Sequence, residues 1–302
     1  IRASEDELPD LDEDPLELEG LRAWKLGTFL IDCRLRGMPA ADTRAYARAT
    51  GLLPPGRLGD FAFDLVAAEA EPIVARIQQY TTASRREPMM LRLRFDSLPL
   101  GNPASAPAMP NDAPQGYELA GQLRHLWPER QVLYTYSRLE RGEELRAWLL
   151  HLALLATNDP SLPRETVRIG RSQQDKDRPV VAVRFGPVAN AEELLASFLA
   201  WFLLGLRAPL PFVPEASRAY AEAIRKRKSP EDATRSAELQ IAPWNPSSGE
   251  RRDPAFLFLY GVFNPRVRDL DALRPAGSPC FGELAKQIFH PLWQFGSSEV
   301  EP

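Results

Sequence analysis

The sequence predicts an α/β layer sandwich behind an N-terminal bundle of helices. Three observations support that class. Segments with helical periodicity occupy both ends of the chain, and strand-like segments lie between them. Met90–Phe95 (MLRLRF) alternates apolar and basic residues, as a strand with one buried face does. Val132–Leu149 (VLYTYSRLERGEELRAWL) runs from a short strand directly into an amphipathic helix, a step typical of layered α/β folds.

Residues 1–14 read as an acidic, partly disordered lead-in, where Glu5, Asp6, Glu7, Asp10, Asp12, Glu13 and Asp14 stand against Arg2 alone. Residues 15–85 are expected to form the helical part. Asp14 caps the first helix, with Pro15 at its first position and Glu17 three residues on. Leu18, Leu21, Trp24, Leu26, Phe29 and Leu30 give that helix a buried face, and it ends near Gly37. Pro39 starts a second helix that stops at Gly51. Leu52–Gly59 is a turn by composition, and a third helix runs from Asp60 to Tyr80.

Residues 86–302 are expected to hold the α/β core and the C-terminal helices. Beyond the Met90–Phe95 strand, Leu98–Gly116 is rich in Pro, Asn, Ala and Ser and reads as a mobile loop. Tyr117–Leu126 and Val132–Tyr136 flank Trp127-Pro128-Glu129-Arg130, which predicts a hairpin. Gly142–Ala156 is a helix with Leu145, Trp148, Leu149, Leu152 and Leu155 on one face. Val167–Gly170 and Val180–Phe185 predict a second hairpin. Ala191–Leu206 reads as a strongly apolar, buried helix. Three prolines, Pro209, Pro211 and Pro214, precede a basic helix at Glu215–Lys228. Ile241–Pro254 reads as a loop, and the last helix spans Phe281–Trp293.

Composition narrows the function. The 302 residues are 44% apolar and 26% charged, ample for a core. A net charge of −4 and a pI near 5.6 carry no basic signature of a free-standing DNA binder. Contact with nucleic acid would need a local basic face or a site completed by partner chains. Cys33 and Cys280 lie far apart without CxxC spacing and read as reduced, packed thiols of a cytoplasmic protein. No apolar run reaches the ~18 residues that span a bilayer, so no membrane association is expected. There is no signal-peptide pattern, and the opening Ile1 in place of Met reads as a fragment or processed form.

The chemistry-bearing residues are sparse. His125, His151 and His290 lack the spacing of a zinc site. No nucleophile elbow, phosphate-binding loop or dinucleotide fingerprint is present, so no cofactor is expected. Glu143 and Glu144 sit in the first turn of a helix, where acidic residues suit the helix dipole; a metal role is the alternative. Arg92 and Arg94 project from one strand face, and Arg218, Arg225, Lys226, Arg227 and Lys228 form a second basic group. Each is either a phosphate contact or a solvated face. Trp127, at the tip of the expected hairpin, is either a base-stacking wedge or a buried anchor.

Five segments in order carry a resemblance along nearly the whole chain. They are DPLELEGLRAWKLGTFL at Asp14–Leu30, ATGLLPPGRLGDFAF at Ala49–Phe63, YSRLERGEELRAWLLHLALLAT at Tyr136–Thr157, PLPFVPEASRAY at Pro209–Tyr220 and QIFHPLWQF at Gln287–Phe295. In these the chain resembles the C-terminal domain of the gamma subunit of exodeoxyribonuclease V, the RecC family of helicase–nuclease subunits. The resemblance implies a restriction-endonuclease-like PD-(D/E)XK core that has lost its catalytic residues, with flanking helices. Active relatives of that fold begin a helix G-x-x-x-H, whose His binds metal. Here Gly59-Asp60-Phe61-Ala62-Phe63 puts Phe63 at that position. They carry a metal Asp after a Gly on one strand, where Gly121-Gln122-Leu123-Arg124 offers Arg124. On the next strand they carry Asp, an aromatic and Lys, where Leu133-Tyr134-Thr135-Tyr136-Ser137 has none of the required charges.

The resemblance therefore implies no metal, no cofactor and no nuclease activity. It implies a non-catalytic domain in double-strand break repair and homologous recombination. The expected partners are RecB-like and RecD-like subunits, with duplex-end and single-stranded DNA passing through the complex. The candidate DNA contacts are Arg92, Arg94, Arg124, Trp127, Arg225, Lys226, Arg227 and Lys228. Two rival readings remain at this stage: an active nuclease with migrated ligands such as Glu143 and Glu144, and a protein-interaction scaffold without DNA contact.

Overall fold

A computed structural model describes residues 20–82, 84–99, 116–139, 141–172, 180–241, 266–275 and 277–299. The acidic lead-in, the Asp14 cap and most of the loops expected at Leu98–Gly116 and Ile241–Pro254 lie outside these residues. The fold is mixed α/β, with two sheets and, among the described residues, nine helices.

Three helices form the first layer: α1 (Gly20–Leu35), α2 (Ala40–Ala49) and α3 (Gly56–Tyr80). They lie against a four-stranded sheet of β3 (Gln131–Arg138), β4 (Thr166–Arg171), β5 (Val180–Phe185) and β6 (Gly296–Glu299), in that order. Leu26, Leu30 and Ile31 of α1 and Ile73 and Ile77 of α3 share a core with Val132, Tyr136, Val167, Ile169 and Ala182 of the sheet. This helical part is thus a layer of the sandwich and packs directly on the sheet. Gly27 permits the closest approach, because a Cβ there would overlap the Tyr136 ring.

The opposite face of the sheet is covered by α4 (Arg141–Ala156) and α5 (Ala191–Gly205). A separate two-stranded sheet, β1 (Met89–Phe95) with β2 (Tyr117–Leu123), completes that layer. Its core brings Trp148, Leu152 and Leu155 together with Leu91, Leu123, Leu133, Phe185 and Leu195. Ala153 and Leu154 are buried as well, so α4 is apolar around most of its circumference. β3 and β4 are parallel and are joined through α4, as a parallel pair requires, whereas β4–β5 and β5–β6 are antiparallel. At the C-terminal end, α6 (Pro214–Arg225), α7 (Pro230–Ile241), α8 (Val267–Ala272) and α9 (Phe281–Phe295) bury Ala216, Ala237, Leu270 and Phe281 among themselves.

Several expectations change. β2 does not pair with β3 as a hairpin; β2 pairs with β1 across the full length of both strands, and only Leu126 bridges back to Gln131. His125, in the left-handed region at φ 57°, turns the chain from one sheet toward the other. Leu21 and Trp24 are exposed and do not join the buried face of α1, which is built from Leu26, Gly27, Leu30, Ile31 and Cys33. α5 ends at Gly205 and is buried along only one side, with Phe202 exposed and Leu206 exposed just beyond it. The basic helix stops at Arg225, leaving Lys226–Lys228 in the turn beyond it. The hairpin expected at Val167–Phe185 is present as β4–β5.

Candidate functional site

A cleft of about 620 Å³ opens along β3, which is the edge strand of its sheet. Four elements build it. β3 contributes Leu133, Tyr134, Thr135 and Ser137, and α4 contributes Glu143 and Arg146. The end of β2 supplies Gln122, with Arg124 and His125 following it, and β4 supplies Arg168. Trp24 of α1, 40% exposed, stands at the rim. Register accounts for Arg168: it lies opposite Leu133 in the parallel β3–β4 pair and so shares the face that α4 covers.

Three guanidinium groups face one carboxylate in this cleft. Glu143 is tied to Arg168 by a charge-assisted hydrogen bond. Burial lowers the pKa of Arg168, and the nearby Glu143 opposes that shift. Arg124 donates to Gln122 at 2.7 Å, and neither Arg124 nor Arg146 has an ion-pair partner among the described residues. His125 is held neutral. Burial first and then the Arg85 guanidinium push its pKa down to about 4. Since Arg85 can only donate, the His125 Nδ1 that it approaches at 3.4 Å acts as acceptor. Behind the cleft a buried polar relay runs from Gly186 O through His151 and Thr166 to Gln131, which donates to Arg124 O at 3.0 Å. Burial drives the pKa of His151 to about 4, so it takes part as a neutral imidazole.

The degenerate positions named from the sequence separate into two places. Arg124 and Tyr134 line the cleft. Phe63 and Tyr136 lie in the core on the other side of the sheet, with Arg44 4.5 Å from the Phe63 ring centroid. Tyr134 donates to Asp32 of α1 at 2.6 Å, and Tyr136 donates to Glu69 of α3, which Arg171 also contacts. Burial, then these carboxylate partners, raise both phenol pKa values. Both tyrosines therefore tie β3 to the helical layer. Among the described residues, no group of three His, Cys, Asp or Glu side chains is placed to hold a metal. Glu144, the other carboxylate considered for a metal, pairs with Arg218.

The DNA-contact candidates are likewise dispersed. Arg92 and Arg94 point outward from β1 beside Met90, and Arg94 approaches Glu118 at 3.5 Å. Trp127 is only 5% exposed and belongs to the core beneath α1 and α3, so the anchor reading fits its position and the wedge reading does not. Arg225–Lys228 are exposed, but Arg225 lies over the Trp293 ring and Lys226 pairs with Glu222 at 2.7 Å. Trp24, Arg146 and Arg168 were not anticipated. Arg168 sits between Val167 and Ile169 and faces the cleft only because of a pairing register that the sequence does not display.

A family model described as the RecC C-terminal domain matches residues 1–225. The chain is 28% identical over 288 residues to the RecBCD enzyme subunit RecC of Mycobacterium tuberculosis, covering 93% of this chain and 24% of that protein. It is 32% identical over 218 residues to the subunit of the same name from Mycolicibacterium smegmatis, covering 72% of this chain and 18% of that protein. With the Escherichia coli subunit it shares 23% over 222 residues, covering 73% and 17%. The chain thus spans about a quarter or less of the length of these relatives. The family match over three quarters of its length and the 32% identity to the Mycolicibacterium smegmatis subunit show that the chain belongs to the RecC C-terminal domain family.

Proposed function

We propose that this chain is a non-catalytic domain of a RecC-like subunit in a cytoplasmic helicase–nuclease that acts in double-strand break repair and homologous recombination. In this reading its core is a restriction-endonuclease-like fold whose catalytic residues are gone. It helps assemble RecB-like and RecD-like subunits and guides or splits the incoming duplex. The observation that carries the reading is the cleft along β3, where one carboxylate faces three arginines and is engaged by one of them. Metal-assisted phosphodiester hydrolysis needs several oxygen ligands around a cation, and this donor set repels a divalent ion.

The test is incubation of the chain with linear duplex and single-stranded DNA in Mg²⁺ or Mn²⁺. No cleavage and no Mn²⁺ binding heat are expected. Metal-dependent cutting that persists through repurification would overturn the reading and favour migrated ligands.

Exposed apolar side chains favour a second role in subunit assembly. Leu58, Phe61 and Leu65 form a stripe on α3, and Phe202 of α5 and Leu206 just beyond its end form another pair. The basic turn Arg225–Lys228 bears on the same choice. Reversing its charges is expected to weaken the salt-sensitive binding of duplex ends if the turn contacts DNA. Unwinding by the reconstituted complex would stay intact if its role is assembly alone.

A further inference from the structure

We infer that the cleft along β3 is a binding site for an unpaired DNA strand, holding a backbone phosphate between Arg124 and Arg146 with a base against Trp24. This rests on the proposed DNA-handling role and adds the strand type and the residues. Four observations support it. Arg168 is neutralised by Glu143, so Arg124 and Arg146 are the cleft cations left without an ion-pair partner among the described residues. His125 is neutral and competes for no anion. The Trp24 indole at the rim supplies a flat face of the kind on which unpaired bases stack. The volume, about 620 Å³, lies within the range of sites that enclose a nucleotide-sized group.

The approach to the cleft is also basic. Arg94, Arg92 and Met90 alternate along the outer face of β1, and Met90 pairs with Gln122, the hydrogen-bond partner of Arg124. Arg92 thus stands on the ribbon between Arg94, whose charge Glu118 offsets, and the mouth of the cleft. The aromatic rim and the exposed amide of Gln122 favour a nucleotide over an acidic peptide, which would use the arginines alone.

The experiment is binding of the full chain to a labelled oligothymidylate roughly 12 nucleotides long, in EDTA and across a salt series. R124A and R146A are each expected to weaken binding about tenfold and to flatten the salt slope by about 0.7. W24A is expected to lose about tenfold and W24F to recover most of it. All three residues reach solvent, so unchanged thermal midpoints are expected to accompany the losses. The inference is overturned if the R124A/R146A double variant binds like the parent chain. It is also overturned if polyglutamate competes with equal strength through the same arginines. Loss confined to an alanine variant of Arg225–Lys228 would keep the DNA-handling role and remove the cleft from it. Because EDTA removes metal, cleavage by the chain would not alter this readout.

Discussion

The two faces of β3 come from one alternating sequence and end in opposite environments. Val132 and Tyr136 turn toward α1 and α3, where the core is closed and the Tyr136 hydroxyl meets Glu69, while Tyr134 lines the cleft and reaches Asp32 of α1 with its hydroxyl. Leu133, Thr135 and Ser137 turn toward α4, where packing stops short and a polar cleft remains. A strand in a layered fold can thus carry structure on one side and recognition on the other. The closed face resists change in shape, and the open face tolerates change in charge. Four substitutions or conditions probe that contrast, from the largest expected effect to the smallest.

Trp148 is fully buried between α4 and the rings of Phe185 and Phe295. W148A is expected to cost about 3–5 kcal/mol in urea unfolding; a loss under 1 kcal/mol would mean that the α4 layer is loosely packed. Acid acts next, through His151. Its pKa is depressed in the folded chain from 6.5 to about 4, so the unfolded chain takes up a proton that the folded chain refuses. Its contribution is fully present above pH 6.5 and is lost as pH falls toward 4, on the order of 3 kcal/mol in all. His125 acts in the same direction. H151Q is expected to flatten the pH dependence of unfolding in that window, and an unaltered slope would remove His151 from the account.

G27A comes third, with a loss of about 1–3 kcal/mol as the Tyr136 ring is displaced. A paired G27A/Y136A variant is expected to lose less than the sum of its parts. Phe61, 70% exposed on α3, comes last. F61S is expected to change stability by less than about 0.5 kcal/mol while weakening association with a partner subunit, if that stripe is covered in the complex. A large loss of stability in the isolated chain would show instead that Phe61 is part of the core.

Much of this contrast was legible in the sequence, and the gaps have physical causes. The periodicity of α3 and the alternation of β1 reflect burial on one face, which the residue pattern records directly. Pairing between strands was less readable. Tyr117–Leu123 and Gln131–Arg138 are neighbours in sequence, yet they enter different sheets because the turn at His125 separates them. β6 (GSSE) has no apolar alternation and is a strand only because the edge of β5 accepts it. Within the cleft, Arg124 stood out by position. Arg168 did not, since a lone arginine in a strand reveals its neighbours only through register. Leu21 and Trp24 belong to the apolar stripe of the first helix in sequence yet are exposed, because a helical stripe looks the same whether it faces a core or solvent.

The pairing of Glu143 with Arg168 bears on what chemistry this cleft could be made to carry. A carboxylate introduced in place of Arg124 would meet the guanidinium groups of Arg146 and Arg168 before it met a metal ion. Freeing Glu143 would leave the Arg168 guanidinium largely buried and uncompensated, a costly state. An acidic centre in this cleft is therefore opposed twice, by the guanidinium groups that would surround a new carboxylate and by the one that would lose its partner.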